Sequence, residues 1–400
     1  MSRPKSTRNR TELHNESVSG IPDIRKTGPQ LWERERRINN QVYTSTTTLA
    51  YTTISAITAN LYRGCVQLFD GRVMLVPKGN NTAAIRYFNT NTNTITVASY
   101  GLQRARTGAV LNDGRVYFLP YTSGALAATQ AFIFNPTNDT FTTSSATYES
   151  ITGVSPNVGQ RTACLLASGE VFVIGSGSEG NGAYVYNPVN DSLRVISSAP
   201  SRGVWVTTLL PDGRVYCFPQ GGGAPALYQT AYIYNPTDDT FTTASTTLSS
   251  TANNQYAQAL TMLDGRVLIT PADGGTGSYY DPQNDTFTRA FITTTGANFS
   301  RGAMLLRDGR VYVIPNNTIG GGGRIFNPVT GTVTNGPAGF DNGNGAAACL
   351  MYDGRVLLAP HNTTNWSVFG DRLPTDQFLP PERVHSVFSG NRIVSSWYGT

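Results

Sequence analysis

Seven residues ahead of a recurring Asp-Gly turn the chain places Arg63, Arg106, Arg161 and Arg301, whereas the matching positions of three further units hold Trp205, Ala257 and Ala346. A guanidinium is a planar fork of N–H donors that grips a carboxylate, sulfate or phosphate through paired hydrogen bonds. Several of them at one opening would form an anion site; the plainer alternative is that each arginine serves the strand it begins. Metal and redox chemistry has much less to draw on. The only histidines are His14, His361 and His385, and Cys65, Cys164, Cys217 and Cys349 lie far apart with no Cys-x-x-Cys pair. No Gly-x-Ser-x-Gly elbow, phosphate loop or zinc signature occurs. No cofactor, no metal and no catalytic residue is therefore expected, although the scattered carboxylates Glu149, Glu179 and Asp273 keep a lyase or hydrolase open as an alternative.

The elements that must position these arginines are legible as a repeat. Asp-Gly-Arg-Val starts at Asp70, Asp113, Asp212, Asp264, Asp308 and Asp353, and Ser168-Gly169-Glu170-Val171 is a degenerate seventh copy. Successive starts lie between 43 and 55 residues apart, the span of a four-stranded blade. In each unit an apolar strand runs into the turn, where glycine accepts a positive φ, and a second strand such as Val116-Tyr-Phe-Leu leaves it. After a variable loop a third strand such as Ala131-Phe-Ile-Phe enters Asn135-Pro-Thr-Asn-Asp, and Thr140-Phe-Thr-Thr begins the fourth. The turn arginines (Arg72, Arg115, Arg214, Arg266, Arg310, Arg355) recur in almost every unit. They are therefore expected to pair with neighbouring turns and hold the fold together.

Residues 39–371 resemble the kelch family, including the propeller of galactose oxidase, on two features: the Leu-x-Asp-Gly-Arg-Val-Tyr type hairpin and the aromatic-Asn-Pro-x-x-Asp-Thr-Phe segment. The chain departs from that pattern by carrying Pro77, Pro120, Pro219, Pro271, Pro315 and Pro360 where a double glycine is usual. The resemblance implies an all-β, seven-bladed β-propeller of four-stranded blades. It does not extend to the oxidase copper centre, whose histidine and tyrosine ligands and Cys-linked tyrosine find no credible counterpart here. The seventh unit lacks its fourth strand, and Asn39-Asn-Gln-Val-Tyr-Thr-Ser aligns with Asn138-Asp-Thr-Phe-Thr-Thr. Residues 40–46 are accordingly expected to close the ring as the outer strand of the last blade.

Outside the ring lie an extended N-terminal arm, residues 1–38, and a C-terminal extension, residues 372–400. The arm holds nine basic and five acidic residues and so most of the +5 net charge. Arg25, Lys26, Leu31, Trp32, Arg36 and Arg37 are its expected anchors, since Trp and Arg are favoured where a segment docks. The N-terminus lacks the apolar stretch of a secretory signal, and no apolar run has the length of a membrane span. Arginine carries nearly all the positive charge, yet +5 over 400 residues is modest, so a nucleic-acid partner is not expected. The loops between second and third strands vary while the strands repeat, which makes one face the expected recognition surface. Arg63, Arg106, Arg161, Arg301, Trp205, Tyr228 and Tyr256 are its candidate contacts, with an acidic glycan or a host receptor as ligand. The resulting expectation is a non-enzymatic structural or binding propeller. It would be a virus or phage virion component, assembled in the host cytoplasm and tied by its arms to other structural proteins. A cytoplasmic kelch interaction module and a propeller carbohydrate-active enzyme are the alternatives.

Overall fold

The computed structural model describes residues 51–54, 62–77, 85–98, 105–120, 130–148, 162–175, 182–200, 204–220, 230–244, 258–270, 277–289, 299–306, 308–315, 323–336, 346–360, 366–370, 372, 385–389 and 392–397. These residues form seven antiparallel blades, all β. Blade three is typical: Thr162–Leu165 is innermost, followed outward by Val171–Gly175, Gly182–Asn187 and Ser192–Ile196. No helix among the described residues is long and apolar enough to cross a membrane.

Two local devices build each blade. In the inner hairpin of blade one the Gly71 amide donates to the Leu68 carbonyl, and Leu68 in turn donates to Arg72 across the turn. Gly71 sits at φ 90°, a conformation that favours glycine. The Asp70 carboxylate accepts from both the backbone and the side chain of Arg72 and so pins the turn. The outer hairpin is an Asx turn. Asn135 Oδ1 accepts from the Thr137 amide, and Asp139 takes φ 55°, as Asn93, Asp191, Asp239 and Asp285 do in their blades. Asn and Asp tolerate this left-handed conformation better than other side-chain-bearing residues. In blade six Gly331 serves instead.

Side chains alternate along every inner and second strand, so each blade buries apolar residues on both faces. Val73 and Leu75 pack toward blade seven, whereas Met74 and Val76 pack toward blade two. Seven apolar clusters result, one between each adjacent pair of blades. Aromatic stacks cross these boundaries at matching positions. Tyr117 lies on Tyr186 with ring centroids 4.2 Å apart, and Phe172 lies on Tyr234 at 4.2 Å. Such a pair contributes about 0.5–1.5 kcal/mol beyond its buried area.

The ring is closed by an N-terminal strand, but not by residues 40–46. Tyr51–Ile54 occupies the outer position of blade seven, with Tyr51 opposite Phe369 and Ile54 opposite Trp366. Tyr51-Thr52-Thr53 matches Phe141-Thr142-Thr143 of blade two in register, because Phe141 stands opposite Phe134 as Tyr51 stands opposite Phe369. Tyr43-Thr44-Ser45 has similar chemistry, so the pairing of Tyr51–Ile54 with Trp366–Phe369, and not the local sequence, separates the two. Residues 55–61 then lead to the inner strand of blade one, a connection as short as residues 98–104 and 197–203 between other blades. Deleting residues 1–46 should therefore leave the melting temperature within a few degrees, whereas deleting residues 1–54 should lower it sharply. Equal behaviour of the two deletions in calorimetry would contradict this closure.

Candidate functional site

The innermost strands begin at the loop face, and their first residues surround one end of the central channel. There the blades divide into two groups. In blade one Tyr62 pairs with Pro77 and Gly64 with Val76, which leaves Arg63 as an extra residue. Blade two repeats this around Arg106, since Ala105 pairs with Pro120 and Thr107 with Leu119. In blade six Phe299 pairs with Pro315 and Gly302 with Ile314, so Ser300 and Arg301 are extra. Blade four pairs without interruption through the same position, Trp205 opposite Pro219, and in blade seven the pairing begins there, with Ala346 opposite Pro360. A bulge is thus present in these three arginine-bearing strands and absent at Trp205. Bulges re-aim side chains and recur beside functional sites.

Regular pairing sends Trp205 into the protein rather than to the channel mouth. Its side chain is 2% exposed, packs edge-on against Tyr232 at 5.9 Å and belongs to the cluster between blades three and four. Trp205 is therefore a core residue and does not stand on the loop face as a contact. Arg161, Tyr228 and Tyr256 lie outside the described residues, as do the arm anchors Arg25, Lys26, Leu31, Trp32, Arg36 and Arg37.

The C-terminal extension contributes an element that the repeat did not foreshadow. His385–Ser389 and Arg392–Trp397 pair as an antiparallel hairpin, and the first of these strands joins the inner edge of blade two, with Phe388 opposite Gly108 and Ser389 opposite Thr107. The hairpin stands inside the ring. Its first strand lies beside the inner strands of blades one, two, three and seven, its second beside those of blades four, five, six and seven. A Cβ at residue 108 would come 2.3 Å from the Tyr117 carbonyl oxygen, so glycine is required in this strand flanked on both sides. A local signal existed: Gly390-Asn391 between segments rich in β-branched and aromatic residues is a two-residue hairpin pattern. The expectation of an extended tail gives way here to a folded hairpin, because the channel offers it an unpaired strand edge.

The opposite, turn-bearing face is occupied by structural pairing. Arg72 reaches the next blade, with Nη2 at 2.8 Å from Asp139 Oδ1 and 3.0 Å from the Pro136 carbonyl oxygen, while Arg115 donates to the Pro188 carbonyl. Arg194 pairs with Asp239 in the same sense, from blade three to blade four. At the seam between blades seven and one Arg355 donates to Asp353, to the Thr90 carbonyl and to Asn93 Oδ1. Burial tends to raise the pKa of Asp191, but hydrogen bonds from Ser144, Ser145 and Tyr186 outweigh it and hold the carboxyl below its usual range. All four cysteines are buried free thiols, and burial pushes Cys164 up to about 12. Among the described residues no group of three or more His, Cys, Asp or Glu side chains is placed to hold a metal ion.

No protein-family model matches the chain, and no curated protein matches it. Solved structures do resemble it. The virginiamycin B lyase of Staphylococcus aureus has a TM-score of 0.62 at 12% identity, covering 81% of this chain and 99% of the lyase. A fungal alcohol oxidase of the AA5 family, in complex with copper, has a TM-score of 0.59 at 15% identity, covering 80% of this chain and 75% of the oxidase. The extracellular domain of a putative one-component system from B. thetaiotaomicron scores 0.57 at 12% identity, covering 80% of this chain and 39% of that domain's chain. At these identities the likeness shows the fold, a seven-bladed propeller. Enzymes and a sensor domain stand side by side among the neighbours, so the scaffold does not decide the activity.

The turn-face arginines should differ in weight according to burial. Asp353 is 1% exposed and Arg355 8%, so replacing Arg355 by Ala takes the nearer arginine from a buried carboxylate and leaves it Arg372 at 3.7 Å, at a cost of about 2–4 kcal/mol. The Arg214 and Asp212 side chains are 36% and 46% exposed, so Arg214→Ala should cost about 0–1 kcal/mol. Denaturant unfolding of both variants checks this, and equal losses would contradict it.

Proposed function

We propose that this chain is a non-enzymatic binding propeller of kelch type, which recognises an anionic group at the loop-face mouth of its channel. The observation that carries the reading is the bulge at Arg63, Arg106 and Arg301, set against regular pairing at Trp205. A residue repeated for the sake of the blade would keep the blade's register, as the turn arginines do. These three depart from it, in strands that face one opening. Acidic glycans offer carboxylate or sulfate groups of the size that a guanidinium grips in two places, and the variable loops around the mouth would supply selectivity.

The described titratable groups of the turn face are occupied structurally, which leaves recognition to the loop face. Their carboxylates and guanidiniums are engaged in turns and between blades. The thiols of Cys65, Cys164 and Cys217 are held protonated by burial. A glycan array with the full chain should favour acidic over neutral sugars, and binding should fall as salt screens the charges. Arg106→Ala should weaken that binding about tenfold, the loss of one charge-assisted contact, with unchanged melting. Absent or salt-insensitive binding would return these arginines to a purely structural role.

The assembly reading concerns the arm. Residues 1–38 combine nine basic and five acidic residues with few apolar anchors, Leu31 and Trp32 among them, a composition that builds no core of its own and suits docking against a partner. We assign it the role of tying the propeller to the structural proteins of a larger particle, a virion, with the loop face outward. Deleting residues 1–38 leaves the closing strand Tyr51–Ile54 in place, so ring stability and anchoring can be separated. The truncated chain should fold with an unchanged melting temperature and fail to enter particles. Incorporation equal to that of the full chain would refute the anchor.

A further inference from the structure

The hairpin inside the ring has a definite polarity. The inner strand of blade two runs from Ala105 at the loop face to Val110 at the turn face, and the tail strand His385–Ser389 pairs with it antiparallel. The tail therefore enters the channel from the turn face and climbs toward the mouth. Its start agrees with this direction, because Arg372, at the end of blade seven, donates to Asn91 in the turn of blade one. At the top Ser389 stands opposite Thr107, the residue that follows bulged Arg106, and Arg392 stands opposite Ser389. The second tail strand, which Arg392 begins, lies beside the inner strand of blade six that carries Arg301. The first lies beside that of blade one, which carries Arg63.

We infer that the C-terminal hairpin is part of the anion site, forming its floor and bringing Arg392 to the same level as Arg63, Arg106 and Arg301. The inference rests on the anion-binding reading above and deepens it. Three arginine positions belong to strands of the channel wall, and the hairpin strand that Arg392 begins adds a fourth from inside the ring. Like charges gathered at one level repel, the more so where water is limited. A carboxylate or sulfate group relieves that repulsion, and this favours an anion over a neutral sugar. The tail is on this view a structural part of the binding face and not a second anchor to neighbours.

The test measures binding of sialyllactose, which presents a carboxylate, and of sulfated lactose, by titration calorimetry with the full-length chain. Arg392→Ala should weaken the favoured probe about tenfold, Arg392→Glu should abolish binding, and Arg392→Lys should recover part of it. Melting temperatures should stay unchanged, and Arg214→Ala on the opposite face should bind as the unaltered chain does. Preference for one probe identifies the source of the anion. If Arg106→Ala weakens binding while Arg392→Ala and Arg392→Glu do not, the hairpin is not part of the site and this inference is overturned, with the mouth reading intact. If the unaltered chain binds neither probe, both readings fall.

Discussion

A blade of this protein cannot be stable alone, because its strands send apolar side chains to both faces. Val73 and Leu75 need blade seven, and Met74 and Val76 need blade two. That two-sided burial is the constraint from which the rest follows. Every blade must have two neighbours, so the stack must curve and close, and the last interface must be as well made as the first. The seam between blades seven and one is accordingly reinforced. It combines the Tyr51–Ile54 strand, the buried Asp353–Arg355 pair reaching Thr90 and Asn93, and the bond from Arg372 to Asn91.

The two ends of the ring carry different duties for a physical reason. At the turn face the connections are short, and a short turn needs its own side chains to satisfy its backbone. Asp70, Asp113 and Asp212 accept from the amides two residues on. Asp139 receives Arg72 of the preceding blade, and Asp239 receives Arg194. Repetition there is the mark of structural work. At the other face the chain must travel from one blade to the next or between second and third strands, and these connections differ in length and composition from blade to blade. Departures from the repeat collect there, the bulged arginines among them.

The hairpin within the channel brings these two ends together. A propeller leaves the inner edges of its innermost strands unpaired, and such an edge is a ready template for another strand. Here the chain's own C-terminus covers the edge of blade two. Gly108 lies at this junction, close against the Tyr117 carbonyl of the second strand and paired through its backbone with Phe388. The channel is therefore not an open pore in this structure.

The amino-acid sequence by itself determined the blades. Asp-Gly-Arg and Asn-Pro-x-x-Asp act through backbone preferences and hydrogen bonds spanning only a few residues, so seven units, their strand order and the need for closure were legible without any tertiary information. Tertiary structure decided whatever depended on a partner distant in sequence. Tyr43 and Tyr51 lie in similar local contexts, and only pairing with Trp366–Phe369 distinguishes the second. The arginines ahead of the turns read alike, yet the extra residue in blades one, two and six exists only relative to the strand opposite. Trp205 looked like a contact for the loop face, and regular pairing turned it into the core. The tail carried a hairpin signal in Gly390-Asn391, but nothing local could say that its resting place was the edge left open at the centre of the ring. Turn chemistry is local and can be read along the chain; register and edge pairing are relations between segments, and they take definite values only once the ring has closed.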